Sequence, residues 1–339
     1  MPVNITFRTQ LLGGVAEFCG NCDVPLFSLP LNLIELVVLL AKYKEEGVSL
    51  YPEVYLTSNI SQLIAMLPDA QRLPLGSTSR DTDGIKRAIK KSAPLAISGW
   101  LIYLEDNGDN LNFGLMKGAS NPISVLVDRV LLDENNPTQV TKIFQVADDC
   151  VEIISSSGDR HVIFLNHRKD DSPPPLASLD RLIKSVTMGV AADLVEPIQS
   201  YLTRILYNAL RISHGTLIAV TDKRSPPKAL FNDGLKLDEP IDFPEMIRKL
   251  KRSEINPERL ISAAALLEGM LNSDGIIIFD KNARLLGFNY FVRSKNVANE
   301  VGGARRRAFA TLSSYLGKGL VGAFIQSQDG WSDFRGVEQ

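Results

Sequence analysis

Three short apolar runs in the C-terminal half, 215–221, 276–279 and 320–325, are separated by stretches with helical periodicity. Behind Asn256-Pro257, which opens a helix, Leu260, Ile261, Ala264, Leu267 and Leu271 recur at three- and four-residue spacing, and 305–316 reads as a second helix. Strands that alternate with helices can bury their apolar faces only by layering, so the pattern predicts an α/β layer structure, a sheet flanked by helices. Asp280-Lys281-Asn282 turns the chain into a further strand near 284–291, and Asp233-Gly234 is expected to turn it within 231–238. Gln328-Asp329-Gly330 reads as a last turn.

The N-terminal half carries its own α/β signals. Residues 31–43 have helical composition, closed by Gly47, and 53–56 reads as a strand. Residues 68–94 are polar and interrupted by Pro68, Pro74, Gly76 and Pro94. Within them Lys86, Arg87, Lys90 and Lys91 fall on one face of a helix, which predicts a solvated face. Two hairpins follow: 100–104 with 111–116 around Asn107-Gly108, and 151–154 with 161–165 around Gly158. His161 lies in a strand and reads as structural. No catalytic constellation and no internal repeat stand out in this half.

At 339 residues the chain has room for two domains. The stretch 167–175, HRKDDSPPP, is charged and then proline-rich, as an exposed, stiff connector would be. The expected organisation is an N-terminal α/β domain over 1–170, smaller and of unassigned role, a linker and connecting helix over 171–212, and a C-terminal domain over 213–339. The connecting helix, 176–212, shows Leu179, Leu182, Ile183 and Val186 at helical spacing, and Pro197 is the expected place for it to break.

Composition narrows the function. A net charge of −2 argues against general nucleic-acid binding, which shows as a basic excess. The longest strongly apolar run, 31–41, is far shorter than the ~20 residues of a membrane span, and no leader peptide is recognisable at Met1-Pro2-Val3-Asn4. A cytoplasmic protein with no membrane partner is expected. Three cysteines, Cys19, Cys22 and Cys150, fit a reducing compartment. Cys19 and Cys22 have C-x-x-C spacing without a second pair, so two small residues near a turn is the favoured reading over a metal or redox site.

The chemistry concentrates in 272–307. Ser273-Asp274-Gly275 stands at the mouth of a strand, and Gly302-Gly303-Ala304-Arg305-Arg306-Arg307 at the mouth of a helix. Glycines allow a ligand close to the backbone, a helix start offers free N–H groups and a positive dipole end, and guanidinium forks match phosphate oxygens. Asp274 has the chemistry to accept a proton from a hydroxyl or to hold a metal.

In this order and spacing the half-chain resembles the diadenylate cyclase (DAC) domain family. Gly215-Thr216-Leu217-Ile218-Ala219 is similar to its G-A-L-I-V strand, and Asp233-Gly234-Leu235-Lys236-Leu237-Asp238 to its T-G-I-x-L-D segment. Asp274-Gly275-Ile276 resembles its D-G-A motif, and Gly303-Ala304-Arg305-Arg306-Arg307-Ala308-Phe309 its G-T-R-H-R-A-A motif. The resemblance covers about 202–330. Members join two ATP molecules into cyclic di-AMP across two facing domains, so a catalytic member implies a homo-oligomer and Mg²⁺ or Mn²⁺. By resemblance Asp274 would hold the metal or activate the ribose hydroxyl. Gly275, beside Ile276, would line the adenosine pocket. Gly303 and Ala304 with Arg305, Arg306 and Arg307 would take the phosphates. The chain departs from the family at Arg306 for its histidine, Ala304 for its threonine, Ile276 for its alanine, and Ser313-Ser314 where it has Ser-Glu. Loss of a histidine and a carboxylate weakens a metal site more than a phosphate site. The pattern is similar to the degenerate DAC-like nucleotide sensors called DACNV. It implies a sensor of ATP or a cyclic dinucleotide whose N-terminal region signals to a protein partner; the alternative is an active, divergent cyclase.

Overall fold

The computed structural model describes residues 7–22, 24, 30–119, 121–147, 149–165, 175–213, 215–293, 303–327 and 331–337. The expected connector centred on 166–174, Gly302 and the turn at 328–330 lie outside them. The chain has the α/β class and divides into two compact units: Met1–Ser120 with Val125–Asp171, and Asn121–Ser124 with Ser172–Gln339.

The first unit comprises helices α1 (Phe7–Asn21) and α2 (Pro30–Ala41), the small hairpin β1 (Lys44–Glu45) and β2 (Val48–Ser49), β3 (Glu53–Thr57), α3 (Ile60–Met66), β4 (Gln71–Thr78), α4 (Thr82–Ser92), β5 (Leu101–Asp106), β6 (Leu111–Lys117), α5 (Val127–Leu131), β7 (Val140–Ala147), β8 (Cys150–Ser155) and β9 (Arg160–Phe164). Strands β3 to β9 form one seven-stranded sheet in the order β4-β6-β5-β3-β7-β8-β9, with β3 parallel to β5 and the other pairs antiparallel. Both expected hairpins, β5–β6 and β8–β9, are present. On one face Leu33, Leu36, Val37 and Leu40 of α2 and Ile85 and Ile89 of α4 join Val54, Ile102 and Ile143 in a single core. On the other, Ile60 and Leu63 of α3 and Leu131 of α5 pack on Tyr55, Tyr103 and Met116. Lys86, Arg87, Lys90 and Lys91 of α4 are exposed, as amphipathic spacing requires. Strand β4 falls in the stretch that reads as broken and polar. It is an exposed edge strand, where Pro74 and the bulge at Gly76 are tolerated.

The second unit contains α6 (Pro175–Val186), α7 (Ala192–Ile212), β10 (Gly215–Thr221), β11 (Phe231–Asp242), α8 (Phe243–Lys251), α9 (Pro257–Leu271), β12 (Ile276–Asp280), β13 (Arg284–Val292), α10 (Ala304–Ser313), β14 (Leu320–Ser327) and β15 (Ser332–Gly336). The six strands are ordered β11-β13-β12-β10-β14-β15, with β10 and β12 parallel and the rest antiparallel to their neighbours. Residues of α6 to α9 cover one face, where Leu182, Leu202, Leu206, Phe243 and Leu267 meet Ile218, Ile277 and Phe279. Phe309 and Leu312 of α10 cover the other, against Leu217, Ile276, Ile278 and Ala323. Helices α6 and α7, expected to connect the domains, therefore supply much of this unit's core.

Three expectations are corrected. The long helix breaks at 187–191, between α6 and α7, and Pro197 sits inside α7. The N–H missing from Pro197 would have bonded the Asp193 carbonyl, which accepts instead from Lys251 Nζ at 3.4 Å. At Gly189 a Cβ would stand 2.4 Å from Asn282 Oδ1, and its N–H donates to the Lys281 carbonyl at 2.7 Å, so tertiary contact fixes the break there. Asp233-Gly234 does not reverse the chain: β11 runs through it opposite an extra residue on β13, and Gly234 has φ +148° with the Tyr290 ring in the space a Cβ would need. On α9 the buried row is Leu260, Ala263, Leu267 and Leu271, whereas Ile261 is exposed. The turn at Asp280-Lys281-Asn282 forms as expected. The Asp280 carboxylate caps it, accepting the Asn282 and Arg284 N–H groups at 2.9 and 3.0 Å and pairing with the Arg284 guanidinium at 2.6 Å.

Candidate functional site

Sheet register decides which residues can meet. Ile276 pairs with Leu217 on one side and Tyr290 on the other, Phe231 with Val292, Gly215 with Ser327, and Ser332 with Gln326. The starts of β10, β11, β12 and β15 and the ends of β13 and β14 therefore share one edge. Asp274 and Gly275, leading from α9 into β12, stand on that edge. So do Asp233 and Gly234, two strands away.

The start of α10 comes to the same edge. The Arg306 guanidinium lies 4.8 Å from the centre of the Trp331 ring, just before β15, while the Phe309 ring lies 5.0 Å from the Arg335 guanidinium near the other end of that strand. The helix packs over β14, and its N-terminus points toward the end of the sheet that carries the acid–glycine mouth. Gly303 is the N-cap and contributes no side-chain hydrogen bond, and the first turn holds no acidic residue. The first helical bond runs from the Arg307 N–H to the Gly303 carbonyl at 3.2 Å. Three exposed arginines, Arg305, Arg306 and Arg307, stand at the positive end of the helix dipole, where acidic residues are the stabilising choice. Helix-start N–H groups and guanidinium forks together suit an anion.

Asp274 is exposed, and its Oδ1 accepts the Gly275 N–H at 2.9 Å. Asp233 does the same with Gly234 at 2.9 Å. Gly275 has φ +97°, and a Cβ there would lie 2.8 Å from the Asn289 Cα, so the mouth requires glycine both for its backbone and for its neighbour. Among the described residues nothing stands within 4 Å of a Cβ on Gly303, and Ala304 is exposed beside it. Ile276 is turned away from solvent: it is 2% exposed, in the apolar cluster that also holds Phe309. Register and packing thus bring Asp274, Gly275, Gly303, Ala304 and the three arginines to one edge and place the Ile276 side chain in the core beneath it.

The serines at the position of the expected second carboxylate are tied into α10, Ser313 Oγ donating to the Phe309 carbonyl and Ser314 Oγ to the Thr311 carbonyl, both at 2.8 Å. Asp274 and Asp233 offer carboxylates at the mouth, with one oxygen of each on a backbone N–H.

Two residues at this edge escape the sequence reading. Trp331 follows a turn and looks like an isolated aromatic. Asn289 sits in an apolar strand, where asparagine itself is the signal: it tolerates the left-handed backbone that a bulge needs. Elsewhere, Cys22 is buried and its Sγ donates to the Phe18 carbonyl at 2.8 Å, within α1 and its last turn. No group of three metal-ligating side chains occurs among the described residues. No helix among them is long and apolar enough to cross a membrane. The chain matches no family model and no curated protein.

Proposed function

We propose that the second unit is a DAC-like nucleotide-binding domain, and that the protein is a sensor of ATP or of a cyclic dinucleotide such as cyclic di-AMP. One observation supports this most: a helix start with glycine as its N-cap and three arginines lies at the same end of the sheet as an acid–glycine strand mouth. Phosphate oxygens suit the first, through helix N–H groups and guanidinium forks. A nucleoside lying over Gly275 brings its hydroxyls toward Asp274. On this reading the first unit passes ligand occupancy to a protein partner.

An exposed Asp274 carboxylate favours a second reading, a divergent diadenylate cyclase that makes cyclic di-AMP from two ATP in a face-to-face homo-oligomer. That reading needs Mg²⁺ or Mn²⁺, and Ser313 and Ser314 bring no carboxylate to help hold it. The sensor reading needs no metal.

Incubation of the full chain with ATP and Mn²⁺ or Mg²⁺, followed by mass spectrometry, separates the two. The sensor reading expects no cyclic dinucleotide. Robust product that disappears in Asp274→Asn would overturn it in favour of the cyclase.

A further inference from the structure

Between Ile276 and Ile278 of β12 the paired residues on β13 are Tyr290 and Gly287, and between Asp233 and Leu235 of β11 they are Phe291 and Phe288. β13 therefore carries one residue more than either neighbour over the same span. Asn289 lies within this bulge: its φ is +57°, and it is exposed, whereas Tyr290 and Gly287 are buried. Its Oδ1 lies 3.1 Å from where a Cβ on Gly275 would stand, so the amide is held against the Asp274–Gly275 mouth. Among the described residues no hydrogen bond engages that amide. Bulges beside ligand sites commonly serve to re-aim one side chain.

We propose that Asn289 determines base specificity at this mouth and selects adenine; the inference rests on the nucleotide-binding reading above. A side-chain amide offers one donor and one acceptor in a single plane. Adenine answers with an acceptor ring nitrogen and a donor amino group, whereas guanine presents two acceptors, O6 and N7, on the corresponding edge. The bulge supplies direction: the left-handed backbone at Asn289 turns its side chain to solvent beside Gly275, where a ligand at the mouth would lie.

The test is equilibrium titration of the full chain with ATP and GTP, and with cyclic di-AMP and cyclic di-GMP. Asn289→Gly accepts the positive φ without strain and removes the amide alone; Asn289→Asp keeps the shape and removes the donor. The expected result is a preference for the adenine member of each pair that both variants reduce by about ten-fold or more, with guanine affinity changed little. Nucleotide binding by the native chain with no adenine preference, or a preference that both variants retain, overturns this inference and leaves the nucleotide reading standing. Failure of the native chain to bind any of the four ligands overturns both.

Discussion

Asn289 and Gly275 approach so closely that a Cβ on Gly275 would lie 2.8 Å from the Asn289 Cα, and both residues have positive φ. Two neighbouring strands thus hold unusual backbone at one point, where the acidic mouth opens. Gly275→Ala is expected to cost about 2 kcal/mol, from left-handed strain and the contact with backbone, and to abolish nucleotide binding. Gly303→Ala is the contrast: its φ is −66° and among the described residues nothing stands within 4 Å of a Cβ there, so a smaller cost, about 0.5–1 kcal/mol for alanine at an N-cap, is expected. Urea denaturation of the two variants reads the difference directly.

Arg306 has a partner of its own in Trp331. Arg306→Ala is expected to change Trp331 emission and to cost about 0.5–1 kcal/mol of stability. Fluorescence spectra of the variant in a Trp100→Phe background isolate that signal. Unchanged emission would mean that the start of α10 is not held against Trp331 as described.

In the first unit Lys142 is 2% exposed. Its Nζ lies 2.7 Å from Glu53 and 2.6 Å from Asp128, with the Tyr55 and Phe144 rings at 5.5 and 4.4 Å. Removing one member of a buried ion pair leaves the others desolvated, so Lys142→Met is expected to destabilise by about 3 kcal/mol. Asp128→Asn, at a half-exposed position, is expected to cost less. Thermal unfolding of the two variants checks the order.

His161 packs on Gly14 and stacks with Phe18, and burial holds its imidazole below the ordinary value of 6.5, with Glu17 opposing. Above that value the imidazole is neutral in both folded and unfolded chains and contributes no pH dependence. As pH falls through 6.5 the unfolded chain takes up a proton before the folded one does, so stability falls with acidification. Denaturation midpoints of the native chain and of His161→Gln between pH 8 and 5 are expected to diverge below about 6.5, the variant losing less on acidification.

Local pattern made much of this fold legible. Asn107-Gly108 and Gly158 mark the hairpins, and Asp280 caps the turn that its sequence announces. Tertiary contacts decided the rest. Pro197 is tolerated because Lys251 serves the carbonyl that the proline leaves open, and Gly189 ends its helix because Asn282 fills the space beside it. Gly234 looks like a turn residue and instead lies within β11 opposite the β13 bulge, with Tyr290 over it. At the candidate site the acid, the glycines and the arginines could be named from sequence. Their shared edge depends on strand order, and Trp331 and Asn289 acquire meaning only when that order is known.

Calorimetric titration of the full chain with ATP and with cyclic di-AMP, repeated for Arg305→Ala and Arg307→Ala, tests the central claim most directly. The account expects saturable binding of at least one of the two ligands and about a ten-fold or greater loss in each variant, because charge-assisted bonds to phosphate contribute strongly. Binding with affinity unchanged in both variants, or no binding of either ligand by the native chain, would contradict it.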